Sequence, residues 1–258
     1  MDNNKQIIEI IVGTYEEFLI GYKLTYNEVN IWINVNISID FFIRFKGVYA
    51  LDQSFTNHAH TSSIRCLSSC GKFIASGGVD EAVRIFNMKK RKDVGTLVQH
   101  DGTIAHVEFY ENNHLFTSSE DSSICIWNTK SWECEKTLKG HKDAVNSISV
   151  HPSGKLLLSV SKDKTLRTWN LIKGRCAYVT NLKSISHLVV WSKKGTHFAV
   201  AIDKRVDIYD ISVAGVVYAI DFGHRVNCFT FLNVNIFISC LYLKCNFTPE
   251  QTNWLILG

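Results

Sequence analysis

The sequence predicts an all-β fold assembled from a repeated unit of about forty residues. Three observations carry this expectation. The stretches "GGVDEAVRIFN" (77–87), "SSEDSSICIWN" (118–128), "VSKDKTLRTWN" (160–170) and "VAIDKRVDIYD" (200–210) align on Asp80, Asp121, Asp163 and Asp203, at spacings of 41, 42 and 40. Six residues after each aspartate stands an aromatic: Phe86, Trp127, Trp169 and Tyr209. Within each unit the side chains alternate, as in "SICIWN" and "TLRTWN", which is the period of a strand. Units of this length bury a continuous core by stacking on their neighbours.

Further residues keep the same period. His60, His100 and His141 precede the first three aspartates at spacings of 40 and 41, and Ser76, Thr117 and Ser159 stand four residues before those aspartates. The aspartate falls in a tight turn between two strands. An indole N–H six residues on can donate to the hydroxyl of the neighbouring strand, the hydroxyl can bond the histidine, and the histidine the aspartate. A buried polar network is stable only when every member is satisfied, so the four residue types recur together. Histidine, serine and aspartate also suggest a hydrolase triad, but an active site would not recur three times. "PSGK" (152–155) lacks the remaining glycine spacing of a phosphate loop. No catalytic, cofactor or metal site is expected, and no small-molecule substrate.

These motifs resemble the WD-repeat (WD40) family, a β-propeller of four-stranded blades. Gly140-His141 matches one family dipeptide; Trp127-Asn128 and Trp169-Asn170 match the other less strictly, the family preferring Trp-Asp. The propeller is expected to be incomplete: four full blades plus partial blades at both ends. Residues 1–26 form a partial N-terminal blade, 27–51 a non-repeat insert, 52–222 four WD-type blades, and 223–258 a partial blade and divergent tail. In the fourth unit Ala199 replaces the hydroxyl and Lys183 falls near the expected histidine, so that blade is held by packing alone. At the start, Glu16 and Tyr22 keep the six-residue offset. In the fifth unit the aspartate should fall near Lys244 and the aromatic near Glu250. The insert and the tail share one composition and read as alternative or mispredicted coding sequence, which sequencing the transcript decides.

Composition bounds the remaining possibilities. Hydrophobic residues make up 46% and charged residues 20%, a globular balance with ample core material. The 8 cysteines contain no C-x-x-C pair and read as free thiols in a reducing compartment. The N-terminus shows no secretory signal, and "IWINVNISIDFFI" (31–43) is too short and polar to span a bilayer. A net charge of +4 permits an acidic partner without demanding one.

Local stretches narrow the resemblance. "TNHAHTSSI" (56–64), "MKKRKDVGTLVQHDGTI" (88–104), "ICIWNTKSWECEKTLKGHKDAV" (124–145) and "HPSGKLLLSVSKDKTLRTWNLIKGR" (151–175) look like the p21-activated kinase-interacting protein family, and "VGTYEEFLIGYKL" is similar to its opening strands. The resemblance implies a nucleolar factor in large ribosomal subunit assembly. It also implies a negative regulator that binds the regulatory region of a p21-activated protein kinase. The implied localisation is the nucleus and nucleolus, with the cytoplasm as a further site. The family's further blades and Lys-rich tail have no counterpart here.

Sorting charges by turn type suggests a contact surface. Turns joining first to second and third to fourth strands emerge on one side of a blade. Lys89, Lys90, Arg91, Lys92, Lys155, Lys193 and Lys194 fall there, with Lys72, Lys130, Lys173 and Arg175, against few acids such as Asp93 and Glu111. This candidate basic face suits the phosphates of pre-ribosomal RNA, bound through shape and charge.

Overall fold

The computed structural model describes residues 8–26, 34–37, 39–42, 49–213, 215–223, 225–232, 235–239, 245–247 and 254–257. Among them every regular element is a strand, and none is a helix. β1 (Ile8–Gly13) and β2 (Phe18–Tyr26) come first, and among the described residues β3 (Asn34–Ile37) and β4 (Ile39–Phe42) pair only with each other. β5 (Tyr49–His58) returns to pair antiparallel with β2, from Phe18↔His58 to Tyr26↔Tyr49. The chain therefore leaves and re-enters one sheet at adjacent points, and the β2–β5 pairing shifts register once, between Gly21 and Tyr22.

Four four-stranded antiparallel blades follow. The first holds β6 (Ile64–Cys70), β7 (Phe73–Gly78), β8 (Ala82–Asn87) and β9 (Lys92–Val98). The second holds β10 (Ile104–Tyr110), β11 (His114–Ser119), β12 (Ile124–Asn128) and β13 (Cys134–Leu138). The third holds β14 (Val145–Val150), β15 (Leu156–Ser161), β16 (Thr165–Asn170) and β17 (Arg175–Asn181). The fourth holds β18 (Leu188–Trp191), β19 (His197–Ile202), β20 (Arg205–Asp210) and β21 (Gly215–Asp221). β22 (Cys228–Leu232) and β23 (Asn235–Ser239) form a two-stranded sheet. β24 (Cys245–Phe247) pairs with β25 (Trp254–Leu257), and β25 lies parallel to β1 from Glu9↔Trp254 to Val12↔Leu257. The result is an all-β, propeller-like WD40 architecture. Lys244 and Glu250, the positions expected to continue the repeat, lie outside the described residues.

The core lies between blades rather than within them. Cys66, Ala75, Val83 and Ile85 of the first blade pack against Ile104, Val107, Leu115 and Trp127 of the second. Phe116, Ile124 and Ile126 of the second meet Val145, Ile148, Leu157 and Trp169 of the third. Leu158, Val160 and Leu166 meet Val189, Trp191, Val200 and Ile202 of the fourth. Ala199, Ala201, Val206 and Ile208 then meet Val226, Phe229 and Phe231. The alternation of each strand sends one set of side chains to each neighbouring blade, so no blade buries its apolar faces alone.

The fourth hairpin departs from the others. In the first three blades the aromatic six residues after the aspartate pairs with the residue six before it: Phe86↔Ile74, Trp127↔Leu115, Trp169↔Leu157. In the fourth, Tyr209 pairs with Phe198, and the turn closes in two residues, with Ile202 opposite Arg205. Asp203 takes φ 52, whereas in the other turns the left-handed residue is the one after the aspartate: Glu81, Ser122 and Lys164. This turn takes the two-residue hairpin form.

Candidate functional site: buried polar tetrads and a basic turn face

The links between blades deliver each histidine beside the hairpin that follows. In the second blade His100 Nδ1 lies 2.8 Å from Asp121 Oδ2 and Nε2 lies 2.8 Å from Thr117 Oγ1. Trp127 Nε1–H donates to the same Thr117 oxygen at 2.9 Å. In the third blade His141 Nδ1 lies 2.9 Å from Asp163 Oδ2 and Nε2 lies 2.7 Å from Ser159 Oγ, while Trp169 Nε1–H donates to Ser159 at 2.8 Å. In the first blade His60 lies 2.8 Å from both Asp80 and Ser76. Phe86 has no N–H to offer and instead stacks on Phe55 across to the N-terminal sheet, centroids 5.1 Å apart. Each aspartate also accepts from the backbone N–H after its histidine: Thr61, Asp101 and Lys142.

The electrostatics of these clusters follow from their burial. Burial lowers the pKa of His60 and His141, and their aspartates only partly oppose it. Burial would raise Asp163, but hydrogen bonds from the Thr165 hydroxyl, the Lys142 N–H and His141 hold it well below the usual carboxylate range. Asp121 is held low in the same way by His100 and Ser123. The His–Asp and His–hydroxyl contacts have the connectivity of a hydrolase triad. The hydroxyls, however, are sealed: Ser76 is 1% exposed, and Thr117 and Ser159 are 0%. Two of them already accept an indole N–H. A nucleophile without access to a substrate cannot perform acyl transfer, and what the arrangement can do is pin a hairpin to the link that precedes it.

The fourth blade carries no such cluster. Ala199 is fully buried, and Lys183 sits in the preceding link with φ 61. Phe198 and Tyr209 stack with centroids 4.7 Å apart. Packing is not alone there: the buried Ser186 hydroxyl donates to the Ala201 carbonyl at 2.8 Å. This polar tie comes from a residue that stands outside the repeated positions.

The basic turn face is solvent-exposed. Lys89, Lys90, Lys92, Lys155, Lys193 and Lys194 are all exposed, as are Lys72, Lys130, Lys173 and Arg175. The turns carrying them are tied together around the blades. Cys70 Sγ–H donates to the Glu111 carbonyl at 2.9 Å, Tyr110 O–H to the Pro152 carbonyl at 3.0 Å, and His151 Nε2 lies 3.1 Å from the Gly195 carbonyl. Arg91 is a correction to the expected face. Its Nη1 and Nη2 donate to the two carboxylate oxygens of Glu9, both at 2.7 Å, and its guanidinium lies over the Phe55 ring at 5.2 Å. The Ser54 hydroxyl completes the site around Glu9. A carboxylate buried on β1 needs a fixed cation, so Arg91 clamps the N-terminal sheet to the next blade and is not free to meet a phosphate.

A second set of residues escaped the sequence analysis. The inner strands of the second, third and fourth blades draw part of their edge bonding from a side chain of the preceding blade. Phe109 N–H donates to Ser68 Oγ at 3.2 Å, Val150 N–H to Glu108 Oε2 at 3.2 Å, and Trp191 N–H to Ser149 Oγ at 3.1 Å. Ser68, Glu108 and Ser149 stand 40 and 41 apart, so the period was there to be read. Glu108 is half-buried as a residue, and burial of its carboxyl pushes its pKa up to about 8. The folded chain therefore holds a proton that the unfolded chain has released between the ordinary glutamate value and pH 8. Stability from this group is greatest at low pH and falls as pH rises through that window. Glu108→Gln keeps an acceptor for Val150 and removes the titration. It is expected to stabilise the chain by about 1–3 kcal/mol at pH 8 and to change little near pH 4. Thermal unfolding of both chains across that range checks this, because their difference isolates Glu108 from the histidine clusters.

Together, the blades and their tetrads define a WD-repeat architecture, and WD40 repeats are found in the chain. The family described as "WD domain, G-beta repeat" matches residues 51–87, 91–128 and 132–170. Each match takes the outer strand of one sheet and three strands of the next, so the sequence unit staples neighbours. The chain is similar to a p21-activated protein kinase-interacting protein 1-like protein of Danio rerio, 42% identical over 225 residues that cover 87% of this chain and 56% of the relative. It is similar to p21-activated protein kinase-interacting protein 1 of Homo sapiens, 38% identical over 229 residues, 89% of this chain and 55% of the relative. Protein MAK11 of Saccharomyces cerevisiae is 36% identical over 191 residues, 66% of this chain and 46% of that protein. The chain thus spans little more than half the length of its animal relatives.

Proposed function

We propose that the chain is a non-enzymatic scaffold in large ribosomal subunit assembly that also binds the regulatory region of a p21-activated protein kinase as a negative regulator. Relatives named for interaction with that kinase support the second role. The observation that carries the first is the set of exposed lysines with few acids on linked turns of one side, where the opposite turns mix Lys142, Lys162 and Lys164 with Glu81, Asp101, Glu120 and Asp143, and a surface of that kind suits RNA phosphates. The proposed location is the nucleus and nucleolus, with the cytoplasm as a further site. Affinity purification with and without ribonuclease separates the roles. Pre-ribosomal particles lost on ribonuclease treatment support the RNA role, and kinase retained after treatment supports the other. Recovery of neither leaves a general protein-interaction adaptor.

The basic face has its own test, which must spare Arg91. Replacing Lys89, Lys90 and Lys92 with alanine should weaken association with ribosomal precursors and flatten its salt dependence by about one power of salt concentration per lost phosphate contact. The unfolding midpoint should stay unchanged, since all three side chains are exposed. An unaltered salt slope would reduce the face to a solvated surface.

A further inference from the structure

The described residues hold free thiols at Cys66, Cys70, Cys125, Cys134 and Cys176. Three of them are tied to backbone carbonyls: Cys66 to Gly77 and Ile104, Cys70 to Glu111, and Cys176 to Tyr178. Cys125 and Cys134 meet instead at one hydroxyl. Thr137 Oγ1 lies 3.6 Å from Cys125 Sγ and 3.8 Å from Cys134 Sγ. The pairing of β12 with β13 brings them there. Thr137 stands opposite Cys125 and Cys134 opposite Trp127, with Glu135 bulged out of the ladder beside Cys134. Residues two apart on a strand share a face, as do residues opposite each other on its partner. Cys125, Thr137 and Cys134 therefore lie on the face that packs into the joint between the first and second blades. There Cys125 is 0% exposed, and Cys134 is half-buried against the same cluster. In the first blade these two positions hold Arg84 and Asp93, whose side chains approach to 3.9 Å. In the third they hold Arg167 and Cys176, and in the fourth Asp207 and Val216. Of the four full blades, only the second places a thiol at both.

We propose that Cys125 and Cys134 form a redox modification site, at which hydrogen peroxide converts the two thiols to a disulfide. Cys134 reacts first, because it is the member that solvent reaches. Its sulfur, as thiolate, attacks one peroxide oxygen, the O–O bond breaks, and hydroxide leaves a sulfenic acid behind. Burial pushes the pKa of Cys125 up, so that sulfur stays a thiol and serves the second step. It attacks the sulfenic sulfur, its proton leaves with the displaced hydroxide as water, and the S–S bond forms. One peroxide is reduced to two waters, and two thiols are oxidised. The Thr137 hydroxyl, beside both sulfurs, is placed to pass the proton on. A disulfide needs its α-carbons within about 7 Å. β13 is an outer strand, and among the described residues no strand pairs with its other edge, so it is free to draw Cys134 towards β12. The bond closes a loop over the turn that carries Lys130, which ties one turn of the basic face to the oxidation state of the joint. A thiol reductant such as glutathione reopens it by exchange.

Peptide mapping of the folded full chain tests this. The chain is exposed to hydrogen peroxide, the remaining thiols are blocked with N-ethylmaleimide, and a tryptic digest is read without reductant. Trypsin cuts after Lys92, Lys130 and Lys136, so residues 93–130 carry Cys125 as their one cysteine and residues 131–136 carry Cys134. These two peptides should appear joined, two hydrogens lighter than their sum, and should separate on treatment with dithiothreitol. Cys66, Cys70 and Cys176 should still carry the blocking group. In a Cys125→Ser chain no link forms, and dimedone should trap the sulfenic acid at Cys134. In a Cys134→Ser chain Cys125 should remain a thiol at the same dose. If either serine disturbs the joint, the wild-type digest still decides. Unlinked peptides that both carry the blocking group overturn the proposal. So does a wild-type chain in which Cys134 is oxidised alone or joined to a different cysteine.

Discussion

Trp169→Ala is expected to cost about 3–5 kcal/mol of stability, the range for removing a large aromatic from a packed interior. Trp169 is 2% exposed and sits where Phe116, Ile124 and Ile126 of one blade meet Val145, Ile148 and Leu157 of the next. Its loss opens a cavity at a joint between blades, and joints are the source of stability in this architecture. The variant also removes the indole N–H from Ser159, although His141 still bonds that hydroxyl. Trp169→Phe separates the two contributions. The first blade already uses Phe86 at this position, so the ring is tolerated there, and the phenylalanine variant should lose little more than the hydrogen bond, about 1 kcal/mol. Asp163→Ala tests the polar side of the cluster. It leaves His141 without its buried acceptor and should cost about 1–3 kcal/mol. Urea unfolding of the three variants checks the order, and an Asp163→Ala chain with an unchanged midpoint would show the aspartate to be a solvated turn residue.

Sequence reaches the tetrads because buried polar groups leave few choices. A histidine sealed at a blade joint needs a partner on each nitrogen, and only hydroxyl and carboxylate side chains recur at matching distances from it. The fourth hairpin is harder to read. Asp203 and Tyr209 keep the six-residue offset, and the pattern of the other blades would set Tyr209 opposite His197. The pairing slips by one instead: His197 faces Asp210, and Phe198 faces Tyr209. A slip of one residue changes which side chains meet without changing any spacing along the chain, so a linear alignment passes over it. The acceptors Ser68, Glu108 and Ser149 keep the period, but a serine or glutamate in a strand has no single meaning until the neighbouring backbone is in place. Glu9 and Arg91 are out of reach for another reason. They are far apart in sequence and occur once, so no repetition marks them, and Arg91 stands in a run of lysines where it reads as one more exposed charge.

Arg91→Ala is expected to cost about 1–3 kcal/mol, because it strands a buried carboxylate, while water at the half-exposed guanidinium already screens part of the pair. The Glu9 side chain is 2% exposed, and both of its oxygens accept from the guanidinium. The Ser54 hydroxyl remains as a partner but brings no charge. Arg91 also covers the Phe55 ring, so part of the loss is packing. Arg91 has φ 50, and alanine inherits that backbone, so strain does not confound the comparison. The double variant Glu9→Gln, Arg91→Ala isolates the charge. With the carboxylate neutralised, removal of the cation should cost clearly less than in the single variant, which unfolding in urea would reveal as partial recovery of the midpoint. If the double variant is no more stable than Arg91→Ala, the uncompensated charge is not what destabilises the joint, and the packing of Arg91 on Phe55 is what holds the N-terminal sheet to its neighbour.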